Sequence, residues 1–267
     1  MVDNSSGDGT PKAFWRPTGA AAASITIVAL PGFLIGAYAP EIKEDLSFGD
    51  TELGALLTFG YLVSSIVMST AGGVADKRGP QLILRIGVAI AALAAFLTGI
   101  ISNTYLLLLL CIGLNRVAEG IIQPATNTLI STGVAADRQG IAMAVKQSAV
   151  PFSTALAGFA VPTLGILFGW RGAFLVFSFL AIPAWFIIPK VVVSKSKSFP
   201  SRRDMWGSRH LQIISMAGAF SGAAVVTVSG FLTTTAKNAG YSESFAGLIL
   251  GLGGVVMIIA RLGWGYL

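Results

Sequence analysis

Polar positions along the chain gather into short clusters. Between them run eight stretches of nearly unbroken apolar sequence, over residues 19–39, 53–72, 82–101, 105–131, 141–168, 172–189, 211–236 and 245–267. A hydrocarbon core about 30 Å thick takes about 20 helical residues to cross. A helix on a soluble protein would show an apolar stripe and a polar back, whereas these segments are apolar on every side. The pattern predicts an all-α, polytopic helical membrane protein. The longest polar interval between spans, SKSKSFPSRRDMWGSRH, separates the first six from the last two. The chain therefore divides into a disordered cytoplasmic tail (1–18), a six-helix bundle (19–193), a cytoplasmic linker (194–209) and a partial second bundle holding spans seven and eight (210–267). The first span ends in Ala37-Tyr38-Ala39, a small-residue pattern like that of a secretory cleavage site. Pro40 directly after the cut and the length of the run make it an uncleaved span instead.

Composition and charge sharpen this picture. Hydrophobic residues make up 54% of the chain and charged ones 11%, and mean hydropathy is +0.76. The net charge of +6 sits in the short segments between spans, so it signals topology and not a nucleic-acid partner. With the N-terminus cytoplasmic, the inner segments hold Lys12, Arg16, Lys77, Arg78, Arg85, Arg138, Lys146, Lys190, Lys195, Lys197, Arg202, Arg203 and Arg209. The outer ones hold only Lys43, Arg171 and Lys237. That asymmetry predicts a multi-pass protein of the plasma (inner) membrane with its N-terminus inside. The first outer loop is acidic, with Glu41, Glu44, Asp45, Asp50 and Glu52. A single cysteine, Cys111, excludes an intramolecular disulfide, and a single histidine, His210, leaves no His/Cys metal site. No metal or other cofactor is expected. A membrane-embedded hydrolase lacks a constellation, and no phosphate-binding loop of Walker type occurs, so the chain reads as a non-enzyme.

Two stretches agree at an offset of 193. Phe48, Asp50, Thr51, Gly54, Gly60 and Gly72 pair with Tyr241, Glu243, Ser244, Gly247, Gly253 and Gly265. Glycines on membrane helices allow close backbone approach, so matching glycines suggest matching packing. A parallel repeat of this kind is what two similar bundles of a transporter would leave. The repeat also runs out: the counterpart of Asp76 would fall two residues beyond Leu267. The chain is therefore expected to be truncated, with eight spans of twelve.

Three segments carry candidate chemistry. GGVADKRG, residues 72–79, lies where the second span reaches the inner face and offers one acid, Asp76, in a basic loop. A carboxylate near helix N-termini gains about 0.3–1 kcal/mol, and a solvated tight turn is the alternative. The fourth span carries Arg116, Glu119, Gln123 and Asn127 at three- and four-residue steps, on about an 80° arc of one face. Each charge costs at least about 2.5–3.5 kcal/mol at mid-membrane, so the set must face the protein interior. Either these residues take part in substrate or proton coupling, or Arg116 and Glu119 neutralise each other and brace the fold. The fifth span opens with KQSAVP, where Gln147, Ser148 and Ser153 are polar and Pro151 and Pro162 each free a carbonyl. Phe33 and Tyr38 could line a pore, Thr233, Thr234 and Thr235 could touch solute, Trp170 reads as an interface anchor, and Arg261 reads as snorkelling to the inner surface.

The chain resembles the major facilitator superfamily. Gly72, Asp76, Lys77, Arg78 and Gly79 match that family's signature loop, although Pro80 and Gln81 replace its final basic pair. Arg116, Glu119 and Gly120 resemble its fourth span, and Trp170 to Phe174 its entry to the sixth. The resemblance covers residues 19–267. It implies two six-helix bundles, a solute site between them at mid-membrane and alternating access, with the 72–79 loop as a gate. The expected function is a permease: secondary active transport of a small polar or anionic solute, coupled to a proton or other ion gradient. Arg116, Glu119, Gln123, Asn127 and Gln147 are the candidate coupling residues. The fifth span lacks the flanked Gly-Pro of the family's antiporters, which argues against drug/proton exchange. The alternative is a non-transporting membrane protein, whether an inactive fragment, a sensor or an assembly partner.

Overall fold

The computed structural model describes residues 14–189 and 208–266, with the side chains of 76, 77 and 264–266 left aside. The proposed tail up to residue 13 and the linker up to residue 207 lie outside the described residues. Among the described residues every regular element is helical: α1 (Trp15–Ala37), α2 (Ala39–Leu46), α3 (Asp50–Arg78), α4 (Pro80–Ile101), α5 (Tyr105–Gly133), a 3₁₀ turn (Ala136–Arg138) and α6 (Gln139–Ala160). A π turn (Val161–Gly165), α7 (Ile166–Ser178), α8 (Ala181–Ile187), α9 (Arg209–Asn238) and α10 (Glu243–Tyr266) follow. The protein is an all-α, polytopic membrane protein. Its first span starts at Trp15, four residues before the apolar run, and the acidic first loop is largely the short helix α2.

Seven helical stretches are long and apolar enough to cross a membrane among the described residues, and one of them, Ala136–Ile187, is 52 residues long. As one rod it would measure about 78 Å, far more than one bilayer. It breaks at Gly169, whose φ of 63° and ψ of −178° are essentially open to glycine alone. Residues 168 and 172 come so close there that a Cβ on Gly172 would lie 2.2 Å from that of Phe168. The fold-back separates spans five and six, at the boundary the hydropathy pattern marks.

The first bundle, α1–α8, has two buried layers. Ile25, Val28, Leu84, Val88, Ile122 and Leu129 fill the half near the α3–α4 connection. Leu30, Leu34, Leu53, Leu56, Trp170 and Phe174 fill the half near α2. Trp170 is not an interface anchor: it is 4% exposed, and its indole N–H donates to Asp45 on α2 at 3.1 Å. Tyr38 is packing as well, buried with its hydroxyl donating to Ala160 O at 2.7 Å. Two of the basic residues read as loop charges also sit inside helices. Lys146 is 2% exposed on α6, and Arg85 on α4 stacks over Trp185 at 5.8 Å.

α9 and α10 join this bundle unevenly. A Cβ on Gly158 of α6 would lie 2.3 Å from Gly251 N, so α6 and α10 touch backbone to backbone. A Cβ on Gly36 of α1 would lie 2.5 Å from Ser229 O, and Thr233 donates its hydroxyl to Gly36 O at 2.5 Å. Towards its start α9 diverges, and residues 209–224 are all exposed. The two bundles are thus closed at the α2 end and apart at the other. The repeat is visible in α3 and α10 beginning at the paired residues Asp50 and Glu243, but the glycine environments differ. Gly247 lies tight against Val161 and Gly158, whereas a Cβ on Gly54 would meet only Phe231, at 3.8 Å. Gly60 packs on Arg116, whereas nothing lies near Gly253. Paired positions therefore face different neighbours in the two helices.

Candidate functional site

α5 places Arg116 eleven residues from its first residue, Tyr105, close to mid-membrane. Three residues on, Glu119 meets it at 2.6 Å between Nη1 and Oε2, with side-chain exposures of 3% and 14%. The neighbouring helices are cut away to fit the guanidinium. A Cβ on Gly32 of α1 would lie 2.1 Å from Nη2, and one on Gly60 of α3 would lie 3.0 Å from Cγ. Tyr61 supplies the remaining wall, its ring centroid 4.6 Å from the guanidinium carbon, an attraction worth about 2 kcal/mol when desolvated. Nε has no hydrogen-bond partner among the described residues. Taking one of the two charges away would leave the other buried and uncompensated, at a cost of about 3–5 kcal/mol.

The pair borders a cavity of about 50 Å³ lined also by Gly32, Phe33, Tyr61, Val150, Ser229 and Gly230. Five helices from both bundles meet there: α1, α3, α5, α6 and α9. The volume admits a few waters. A groove of about 600 Å³ between α3 and α9 shares Leu57, Tyr61 and Val226 with it and continues past Ser65, Gly218 and Gly222. That volume suits a small solute, and it leads from the divergent end of the bundles towards the pair.

The other candidates do not gather here. Gln123 is half-buried but does not line the cavity. Asn127, about 16 Å from Arg116 along α5, accepts from Lys146 Nζ at 2.6 Å. Among the described residues no carboxylate pairs with that ammonium. The Gln147 side chain is exposed, and its contribution is a carbonyl. Pro151 has no N–H to offer Gln147 O four residues back, and Arg261 Nη1 donates to it instead, at 2.6 Å. Arg261 is therefore a cross-link between α10 and α6 and does not snorkel. In the loop motif, Gly79 ends α3 with φ 87°, its N–H donating to Ala75 O at 3.0 Å, and Pro80 opens α4. Arg78 is exposed, and the Asp76 and Lys77 side chains lie outside the described set. Sequence reasoning missed Gly32, Tyr61, Ser229 and the burial of Lys146. Only Gly60 carried a signal, through the repeat.

Comparison with known proteins gives a consistent picture. The family model of the Major Facilitator Superfamily matches residues 21–267. The "Probable L-galactonate transporter" of Escherichia coli is 27% identical over 141 residues, 53% of this chain and 31% of that protein. An "MFS-type efflux pump" of Mycolicibacterium smegmatis is 25% identical over 173 residues, 64% of this chain and 40% of that one. "Probable anion transporter 3, chloroplastic" of Arabidopsis thaliana is 26% identical over 145 residues, 53% of this chain and 28% of that one. The chain thus aligns with between 28% and 40% of these relatives' lengths. Among solved structures, a bacterial homolog of the human lysosomal transporter Spinster, inward-facing and unoccupied, superposes with a TM-score of 0.68 at 17% identity. That match covers 90% of this chain and 60% of the other. A D-xylose-proton symporter superposes with a TM-score of 0.59 at 16% identity, covering 92% and 67%.

Proposed function

The chain belongs to the Major Facilitator Superfamily, and we propose that it serves secondary active transport of a small polar or anionic solute, coupled to protons, by alternating access. The observation that carries this reading is the Arg116–Glu119 pair in a cavity walled by both bundles. An ion pair there is an exchangeable contact. When Glu119 takes a proton, its hold on the guanidinium weakens, and a solute carboxylate can engage the freed Nη groups, two N–H donors to two oxygens. When the solute leaves, Glu119 gives up its proton and closes on Arg116 again. Solute and proton then travel together, because each needs the other to break the resting pair. Two of the relatives are named for anionic cargo and one structural neighbour for proton symport, which supports the reading.

In the same scheme the loop of Gly72, Asp76, Lys77, Arg78 and Gly79 latches the inner end when the outer end is open. Gln123, Asn127 and Gln147 lie along the inner path. The N-terminus is cytoplasmic, in the plasma membrane, and the divergent end faces inward.

The test is counterflow of labelled sugar acids and neutral sugars in proteoliposomes at pH 6 and 7.5. The expected result is carboxylate exchange that Arg116→Ala abolishes and that Glu119→Gln makes independent of pH. The Arg116→Ala, Glu119→Ala double variant should recover membrane abundance but not exchange. Recovery of both would reduce the pair to a structural brace. An absence of exchange from the folded parent chain would favour a non-transporting membrane protein.

A further inference from the structure

A second ionisable cluster lies at the closed α2 end, where the two bundles touch. Glu41 on α2 hydrogen-bonds Glu243, the first residue of α10. Lys237, at the end of α9, holds Glu243 at 2.6 Å and lies 3.6 Å from Glu44. Three carboxyl groups therefore meet one ammonium across the bundle boundary. The other charges nearby are spoken for: Asp45 is bound by Arg171, and Lys43 pairs with Asp50 at 2.6 Å. The Tyr38 hydroxyl is given to Ala160 O.

Two carboxyl groups in hydrogen-bond contact cannot both be ionised without repulsion; one must carry a proton to donate. Burial and the facing Glu243 push Glu41 up to about 7, although Lys237 and a backbone hydrogen bond from Trp170 pull the other way. These contacts span the same boundary as Gly36 against Ser229 and Thr233, so they form only when this end is shut.

We propose that Glu41 and Glu243 share a proton that latches the two bundles at the α2 end, and that losing it releases them. In the closed state the Glu41 O–H donates to the Glu243 carboxylate, and Lys237 balances the remaining charge. Deprotonation to solvent leaves both as carboxylates, and their repulsion favours separation. The sign follows from linkage. The proton is held more tightly in the closed state, so closure is favoured below pH 7, and that advantage fades as pH rises through about 7. With half-exposed groups, the closed-to-open ratio should fall roughly tenfold between pH 5 and pH 8. The proposal rests on the reading that the bundles rock apart at this end.

The test is a distance distribution between spin labels at Asn103→Cys and Ala239→Cys, with Cys111→Ser, in lipid nanodiscs at pH 5 and 8. Both label sites are exposed and on opposite bundles. A longer-distance population should grow at pH 8 in the parent. Glu41→Gln keeps a donor but cannot titrate, so it should hold the short distance at both pH values, and Glu243→Gln should do the same. A mixture of both distances unaffected by pH would sink the latch and leave rocking intact. So would a pH response that survives both substitutions. A single distance under every condition, added sugar acid included, would sink latch and rocking together.

Discussion

Arg116 depends on what its neighbours lack. Its guanidinium occupies the space a side chain on Gly32 would need, 2.1 Å from Nη2. Gly32→Ala should therefore push the guanidinium off Glu119 while costing the fold only about 1–3 kcal/mol. We expect at least a tenfold loss of solute exchange with a modest fall in the thermal midpoint. Gly253→Ala, with nothing near it, should change neither. The burial and pairing of the arginine and the glutamate were legible in the sequence, because charge inside a span is expensive and must find a partner. Gly32 and Tyr61 were not, since a glycine and an aromatic residue in an apolar run look the same whether they face lipid, a neighbour or a ligand. Lys146 misled for a related reason. Five residues into the fifth span a lysine can reach the surface along its own stem, and only the fold shows Asn127 waiting for it at 2.6 Å.

The elements were readable in number and order, because hydropathy is local, but their joints were not. Pro151 announced a freed carbonyl without saying which group would answer it. Arg261, more than a hundred residues away, does so. Arg261→Ala should thus lower stability by about 1–2 kcal/mol. Pro151→Ala restores a local N–H to Gln147 and should suppress most of that loss in the double variant. Thermal melts in detergent of the four members of the cycle test it; no suppression would mean the contact is incidental. The α6–α10 seam makes a sharper claim. At Gly158 an added methyl meets backbone, not a movable side chain, so Gly158→Ala should part the two helices. The expected signature is a labile α10, cut by protease at lower temperature than the rest, while α1–α8 keep their protection.

At the scale of the molecule the connections sort themselves to two ends. Arg171 ties the Gly169 hinge to Asp45 on α2 and, at 3.0 Å, to Ser102 O after α4, and Lys237 brings the α9–α10 turn beside Glu44. These four connections must share one face of the membrane, whichever face that is. With the basic loops inside, a membrane-impermeant maleimide should label Asn103→Cys and Ser242→Cys in intact cells and Arg138→Cys only after permeabilisation. Labelling on swapped sides would reverse the orientation and, with it, the direction in which the groove opens. The repeat shows why this scale was hardest to read ahead. Two stretches share a register of glycines, but each glycine packs against whatever its surroundings offer, and that depends on helices distant in sequence.

The hinge at Gly169 bears on how the protein enters the membrane at all. Spans five and six meet in Phe168-Gly169-Trp170, with no polar loop that could wait in water while the second leg is made. In the proposed orientation Arg171, directly behind the turn, ends beside Asp45 on the far face. Dragging that arginine through hydrocarbon on a lone helix would cost at least about 2.5–3.5 kcal/mol. At the tip of a hairpin it makes the same passage with two apolar legs to offset it. The two spans are therefore a single unit of insertion, and the glycine that folds the finished structure also decides what the translocation machinery must accept in one step.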